Sequence, residues 1–450
     1  MTQVESLVAR GALGLIGALM TPYVGRLSFA GQTTSRISNR AMLWLFALSR
    51  LATYLLVFVL LRVTPRGDIP KVYYPFALNV LTGLIPYRDF LCWYAPLHSY
   101  IDAFAVFFWR SPAAIILVAI VAEIVMLVIW SSIAKSNLPQ RTFRAAMLLY
   151  LVSPISVLVV TIDGKNDVMA GMFFALSAWL ALKDRPFVSG MAGALSACCV
   201  KFLAFFYLPI FVLSLRRWSR WVIGCLCVIV VVYGGFFTVL HAPVVQPLDE
   251  LAKSKYNTSG NLPYLFESLV GFRVNIRVWH ALEMASLVAV FAKMLVSARV
   301  YRTDTDKLPI RDRFQLHTFM YGAVAVTATL LILSNKSWMT YSLSTFFLMC
   351  FLMAESKPVF TWLFAAFQLV AIIEPSFYAS IINFADSLQL HALVLSGQPV
   401  AEVFLGLQFL ELAGYVMFFV LAMQQLSRKS PGREDSRRSA PQESVSGASV

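Results

Sequence analysis

The sequence predicts an all-α polytopic membrane protein, a bundle of about twelve membrane segments. Three observations predict it. Of 450 residues, 59% are hydrophobic and only 13% are charged, about half the charged share of a soluble domain. Mean hydropathy is +0.72. The apolar runs are continuous over about 20 residues, the length a helix needs to cross a hydrocarbon core, and they do not alternate as barrel strands do. So few charges cannot cover a water-soluble surface, and so much apolar sequence excludes general disorder.

The segments follow in order. Apolar runs lie near 42–62, 112–133, 143–161, 168–182, 219–240, 278–298, 314–333, 340–354, 358–374 and 401–424. The stretch 187–215 is too long for one span and short for two. A single crossing there would carry Arg216, Arg217 and Arg220 to the exterior, against the preference of basic residues for cytoplasmic loops. Splitting it at Lys201 into two half-length helices returns the cluster to the inside. Both termini are then cytoplasmic: an N-terminal segment 1–41, a transmembrane domain 42–427, and a tail 428–450 rich in Ser, Arg, Glu and Pro that reads as disordered. Arg10, Arg26, Arg36 and Arg40 come with no cleavage site after a short apolar core, so no cleavable signal peptide is expected. Arg50 sits within the first span, where snorkelling or pairing inside the bundle accommodates it.

The net charge is +14. In this class it reports topology, and no nucleic-acid partner is expected. Most basic residues fall on cytoplasmic sections. The exterior ones are Arg66, Lys71, Arg88, Lys165, Lys201, Lys253, Lys255 and Lys336. Their position against the rule points to an anionic ligand. The six cysteines show no metal-ligand spacing and no disulfide framework.

The first outer loop, 63–111, carries the densest chemistry. Asp68 follows the first span directly and so sits at the membrane surface. Val72, Tyr73, Phe76, Ala77, Val80 and Leu81 share one face at helical spacing, which predicts a short interfacial helix over 71–82. Gly83 and Pro86 end it. A second short helix places Ile101, Phe104, Ala105 and Phe108 on an apolar face, with His98 and Asp102 together on the other, expected to face solvent. Asp68, Tyr73, Tyr74, Arg88 and Asp89 cluster, and a carboxylate held at that depth among aromatics is placed to meet a lipid headgroup. Arg88 and Asp89 also suit a turn-stabilising pair. Further on, Asp163 and Asp167 flank a polar turn, and Asp167 is suited to capping the helix that follows. Lys253, Lys255, Tyr256, Asn257 and Asn261 stand in an outer loop where they can help bind a ligand.

Gly67-Asp68-x-x-x-Val72-Tyr73-Tyr74, then Gly83-x-x-Pro86-Tyr87-Arg88-Asp89-Phe90, then Tyr94-Ala95-Pro96-Leu97 resembles the polyprenol-phosphate-mannose-dependent mannosyltransferases of the multi-span GT-C superfamily. It is also similar to the catalytic subunit of the first GPI mannosyltransferase. Asp163-Gly164-Lys165-Asn166-Asp167, Lys201 with Leu208-Pro209 and Arg216-Arg217-Trp218, and Ser334-Asn335-Lys336-Ser337-Trp338 with Tyr341 extend the resemblance over about residues 40–355. It departs at Pro70, where the GPI enzyme has a second acidic residue. That speaks against a paired-carboxylate or metal mechanism.

The resemblance implies a GT-C-like bundle and transfer of a sugar, mannose first, from a polyprenyl-phosphate donor to a hydroxyl of a glycolipid or glycan acceptor. It implies no cofactor and no metal. Asp68 would be the general base. Tyr73, Tyr74, Arg88, Asp89, His98, Asp163, Lys201 and Lys336 would bind substrate, the basic ones among them meeting phosphate charge. The expected place is a cell inner membrane, or its endoplasmic-reticulum equivalent, with the site facing the periplasm or exterior. No Gly-rich nucleotide loop and no Asp-x-Asp pair is visible, which argues against a nucleotide-sugar donor. The alternatives are a transporter or flippase of a lipid-linked sugar, which half-helices around Lys201 would suit, and a non-catalytic scaffold. No internal repeat supports the transporter.

Overall fold

The computed structural model describes residues 3–30, 37–246, 257–302, 314–336 and 338–428. Helices dominate, and no strand is formed among the described residues. In hydrocarbon every backbone polar group must be satisfied inside its own segment, and long apolar runs meet that demand only as helices.

The chain shuttles between two ends, one carrying Asp68 and the other Arg216. Helix α1 (Gln3–Ala30) starts at the Asp68 end, and α2 (Asn39–Tyr54, extended by a π-helical turn Leu55–Leu60) returns to it. The first outer loop holds α3 (Tyr74–Leu81) and α4 (His98–Phe108). Next come α5 (Ala113–Asn137) and α6 (Gln140–Val152), the latter bent by 60° into a π-helical segment Ser156–Ile162. Helices α7 (Val168–Leu182), α8 (Pro186–Cys199) and α9 (Leu208–Ser214, preceded by a 3-10 turn Phe202–Tyr207) are short. Helix α10 (Trp218–Ile229) runs on through a π turn into α11 (Gly235–Thr238). The remainder is α12 (Leu262–Val270), α13 (Ile276–Arg302), α14 (Leu316–Leu333), α15 (Phe346–Glu355), α16 (Pro358–Ser380), α17 (Ser387–Leu395) and α18 (Pro399–Ser427).

Eight of these segments are long and apolar enough to cross a membrane; the bent pair makes a ninth, and four shorter apolar helices lie among them. Eight or nine crossing segments are fewer than the twelve expected, because the four other apolar helices, of 10–17 residues, are too short for a full span. One of the eight is α1, whose apolar stretch Val8–Gly25 falls in the segment read as cytoplasmic. Its hydropathy of 1.2, against 2.0 for the next helix, explains why composition alone passes over it. Glycines and Thr21 dilute the apolar signal, and those small residues let α1 lie close on its neighbours. A Cβ at Gly17 would come within 2.6 Å of Pro154, and one at Gly25 within 2.9 Å of Thr361. Helices α8 and α10 cross closer still: a Cβ at Gly190 would lie 1.9 Å from the Trp221 carbonyl oxygen.

The break expected at Lys201 is present. Helix α8 stops at Cys199, and Lys201 is fully extended. The first outer loop covers the freed carbonyls: Leu97 N–H donates to Cys198 O at 2.8 Å and Ala95 N–H to Val200 O at 3.3 Å. This brings Tyr94 beside Lys201. Arg50 pairs inside the bundle, its Nε 3.9 Å from Glu123 Oε2 and its guanidinium bonded to Ser156 and to the carbonyls of Tyr150 and Leu151. Trp44, Leu60 and Val231 are among many exposed large apolar side chains on the flanks, as a lipid-facing surface requires. Lys253, Lys255, Tyr256, Ser337 and the tail from 429 lie outside the described residues.

Candidate active site

One short loop organises the site. Residues 163–167 connect the bent π-helical segment to α7, with Gly164 at φ +63°. A Cβ there would meet Ile116 at 2.7 Å and Ile69 at 2.9 Å, so glycine is what allows the loop to press onto the first outer loop. Four of its side chains then reach four different elements. Asp163 pairs with Arg10 of α1, with Nη1 at 2.9 Å from Oδ2. Lys165 Nζ donates to Asp68. The Asn166 amide bonds His98 Nε2. Both Asp167 oxygens accept from Lys201 Nζ, at 2.8 and 3.1 Å.

The two carboxylate–ammonium pairs differ in burial. The Asp68 side chain is 43% exposed and Lys165 is 23% exposed. Asp167 is buried and Lys201 half-buried, so the difference lies in the two carboxylates. Aromatic rings enclose the inner pair: Lys201 Nζ lies 4.9 Å from the Tyr341 ring centroid and 5.7 Å from that of Tyr94. These ring faces add a cation–π attraction. Tyr94 stacks on His98 at 4.4 Å, and Tyr73 stands edge-on to both at 5.1 Å. Beside the inner pair lies a small recess of about 10 Å³, lined by Asp167, Lys201, Tyr207, Tyr341 and Ser344 among others.

Helix α4 is turned opposite to its expected orientation. His98 and Asp102, expected to face solvent, are buried, while Phe104, Phe107 and Phe108 are exposed. The periodicity was legible, but at a membrane surface the aromatic face looks outward and the polar face inward. His98 Nδ1 lies 3.3 Å from Asp102 Oδ2. Burial, and then the charge of Lys201, pushes the His98 imidazole down to about 3, with the Asn166 bond acting the other way. Burial pushes the Asp102 carboxyl well up. Burial also raises the Tyr73, Tyr94 and Tyr341 phenols.

The remaining expected residues scatter. Tyr73 is buried beneath the site and Tyr74 half-buried in the first-loop cluster around Ile69 and Ile116. Arg88 and Asp89 hold each other through two 2.9 Å bonds, Asp89 also accepts from Ile85 N–H, and Arg88 reaches Leu240 O at 3.4 Å; this is a turn clamp. The Arg88 pairing holds the Asp89 carboxyl below its ordinary range. Lys336 is half-buried in the turn after α14, next to Asn335, whose carbonyl accepts from Thr258 N–H. Asp167 occupies the cap position of α7 but makes no capping bond; its charge goes to Lys201. Asn261 caps α12, accepting from Tyr264 N–H at 2.9 Å.

Lys165, Asn166, Tyr94, Tyr341 and Asp102 belong to the site without having been singled out for it. Lys165 had a signal, a basic residue on the disfavoured side of the membrane. Asn166 and Asp102 had none strong enough to separate them from solvated polar residues. Chemically, the arrangement offers a half-exposed carboxylate able to take a proton, two ammonium groups able to meet an anion, and an aromatic wall. No family model matches the chain, and no curated protein matches it either.

Proposed function

We propose that the chain is an inverting glycosyltransferase that moves a sugar, mannose foremost, from a polyprenyl-phosphate donor to a hydroxyl of a glycolipid or glycan acceptor. The observation that carries this reading is the pair of carboxylate–ammonium contacts, Asp68–Lys165 and Asp167–Lys201, built on one loop beside a recess at the end of an apolar bundle. A lipid-phosphate donor keeps its prenyl chain in the bilayer and presents its reacting carbon at that level. The leaving phosphate departs as an anion and needs no proton, so one general base suffices.

In the proposed step Asp68 removes the acceptor hydroxyl proton. The oxygen forms a bond to the anomeric carbon as the carbon–oxygen bond to phosphate breaks on the opposite face, which inverts the configuration. Lys201 and Lys165 meet the developing phosphate charge; Lys165 exchanges Asp68 for phosphate as donor binds. Tyr94 and Tyr341 wall the ammonium of Lys201 from water, which strengthens that contact. Basic residues at the opposite end, Arg141, Arg144, Arg216, Arg217 and Arg220, favour that end as cytoplasmic and Asp68 as outward-facing. In this reading the protein resides in a cell inner membrane with its site toward the periplasm or exterior.

The test is Asp68→Asn in membrane vesicles supplied with labelled polyprenyl-phosphate mannose and an envelope glycolipid extract. Transfer should fall by about 10²–10⁴, the usual contribution of a general base. Transfer at the native rate would remove Asp68 from the mechanism. Label that crosses the membrane without a new glycosidic bond would replace the reading with the transporter.

A further inference from the structure

Asp163–Arg10, Lys165–Asp68 and Asp167–Lys201, three contacts of the loop 163–167, are charged. A further one is neutral, the Asn166 amide against His98 Nε2. Both of these residues are buried. Burial keeps the imidazole uncharged at neutral pH. The backbone bonds of the loop run to its own flanks. Gly164 and Lys165 N–H donate to the carbonyls of Val160 and Val159, and the Asn166 and Asp167 carbonyls accept from Met169 and Ala170 N–H, all at 2.9–3.1 Å. The Asn166 side chain ties the middle of the loop to α4.

The recess beside Lys201 measures about 10 Å³, room for one water molecule. A phosphate therefore has to part a charged contact to enter, since an anion that meets Lys165 or Lys201 competes with the carboxylate already there. The Asn166–His98 contact carries no net charge, so an incoming anion has no electrostatic reason to displace it. His98 is itself held firmly. Its ring stacks on Tyr94 at 4.4 Å, Tyr73 stands edge-on at 5.1 Å, and Nδ1 lies 3.3 Å from Asp102 Oδ2. Tyr94 is the ring that faces Lys201 Nζ at 5.7 Å. Just before His98, Leu97 N–H on Cys198 O fixes the start of α4 to the end of α8. His98 thus touches both halves of the site, the loop through Asn166 and the Lys201 side through Tyr94. Buried polar contacts whose neighbours are locked by packing specify a single geometry.

We propose that His98 is a positioning residue: by holding Asn166 it keeps the loop 163–167 in place while Lys165 and Lys201 exchange their carboxylates for the phosphate of a polyprenyl-phosphate ligand. In this role it touches no reacting atom and acts through Asn166 and Tyr94. The proposal rests on the lipid-phosphate ligand of the reading above, and not on sugar transfer.

The experiment measures binding of polyprenyl phosphate, without sugar, to the full chain in detergent micelles, beside the melting temperature of the same samples. His98→Phe keeps a ring against Tyr94 and loses the bond to Asn166. Its affinity should fall about tenfold or more, the scale of a misplaced binding group. His98→Gln, whose amide reaches the place of Nε2, should restore most of that affinity. Asn166→Ala should match His98→Phe, and the double variant should bind no more weakly than either single one. A purely structural His98 would lower the melting temperature and leave the affinity of the folded protein unchanged. That result overturns the proposal, as does a double variant whose losses multiply. Where His98→Phe does not fold, Asn166→Ala at native affinity overturns it equally. A wild type that binds polyprenyl phosphate but transfers no sugar removes the glycosyltransferase and leaves His98 in its role; a wild type that does not bind overturns both.

Discussion

Replacing Asp167 with Asn leaves the Lys201 ammonium without its carboxylate, at a position where little water can reach it. Lys201 Nζ is 2.8 and 3.1 Å from the two Asp167 oxygens. The Asp167 side chain is 5% exposed and that of Lys201 is 20% exposed. Breaking a fully buried ion pair by removing one partner costs about 3–5 kcal/mol. The partial exposure of Lys201 and the ring faces of Tyr94 and Tyr341 lower that for Asp167→Asn to about 2–3 kcal/mol. Lys201→Met strands the more deeply buried carboxylate and should cost about 3 kcal/mol. The double variant carries no stranded charge and should cost about as much as either single variant, so the two losses do not add. Equilibrium unfolding of the four proteins in mixed micelles gives the coupling energy, expected near 2–3 kcal/mol. If both single variants fall within about 0.5 kcal/mol of the wild type and their effects add, the pair does not hold the loop and the site's architecture has been misjudged.

Two further outcomes follow from the same geometry. Between about pH 3 and 6.5 the unfolded chain binds a proton at His98 that the fold refuses, so this residue alone makes stability fall as pH drops through that window. Asp102 acts oppositely: its raised carboxyl keeps a proton that the unfolded chain releases above about pH 3.8, so its stabilising effect fades as pH rises. The two slopes therefore oppose each other. Asp102→Asn should unmask the His98 slope, up to about 1.4 kcal/mol per pH unit, seen as a steeper loss of stability on acidification; an unchanged pH profile would refute the assignment. Topology is checked with single cysteines in a cysteine-free background. Val8→Cys and Arg88→Cys should react with a membrane-impermeant thiol reagent from one face and Lys357→Cys from the other; Val8 reacting together with Lys357 would show that α1 does not cross.

What the sequence determines by itself is whatever depends on local composition. Long apolar runs dictate helices because hydrocarbon offers the backbone no other partner. The charge of Arg216, Arg217 and Arg220 was enough to locate the break at Lys201. The first-loop helices were legible from their periodicity. Where the local signal is diluted, as by the glycines of α1, the element escapes until its packing against Pro154 and Thr361 is seen. Where the signal is symmetric it cannot choose: the periodicity of α4 separates two faces but does not say which one meets lipid. The pairings are a tertiary matter altogether. Lys165 and Asp68 are 97 residues apart, and Arg10 and Asp163 are 153 apart. Nothing local distinguishes these charges from solvated ones. Only when α1, the first outer loop, the 163–167 loop and the end of α8 are packed together does water leave, and only then does each charge acquire a particular partner.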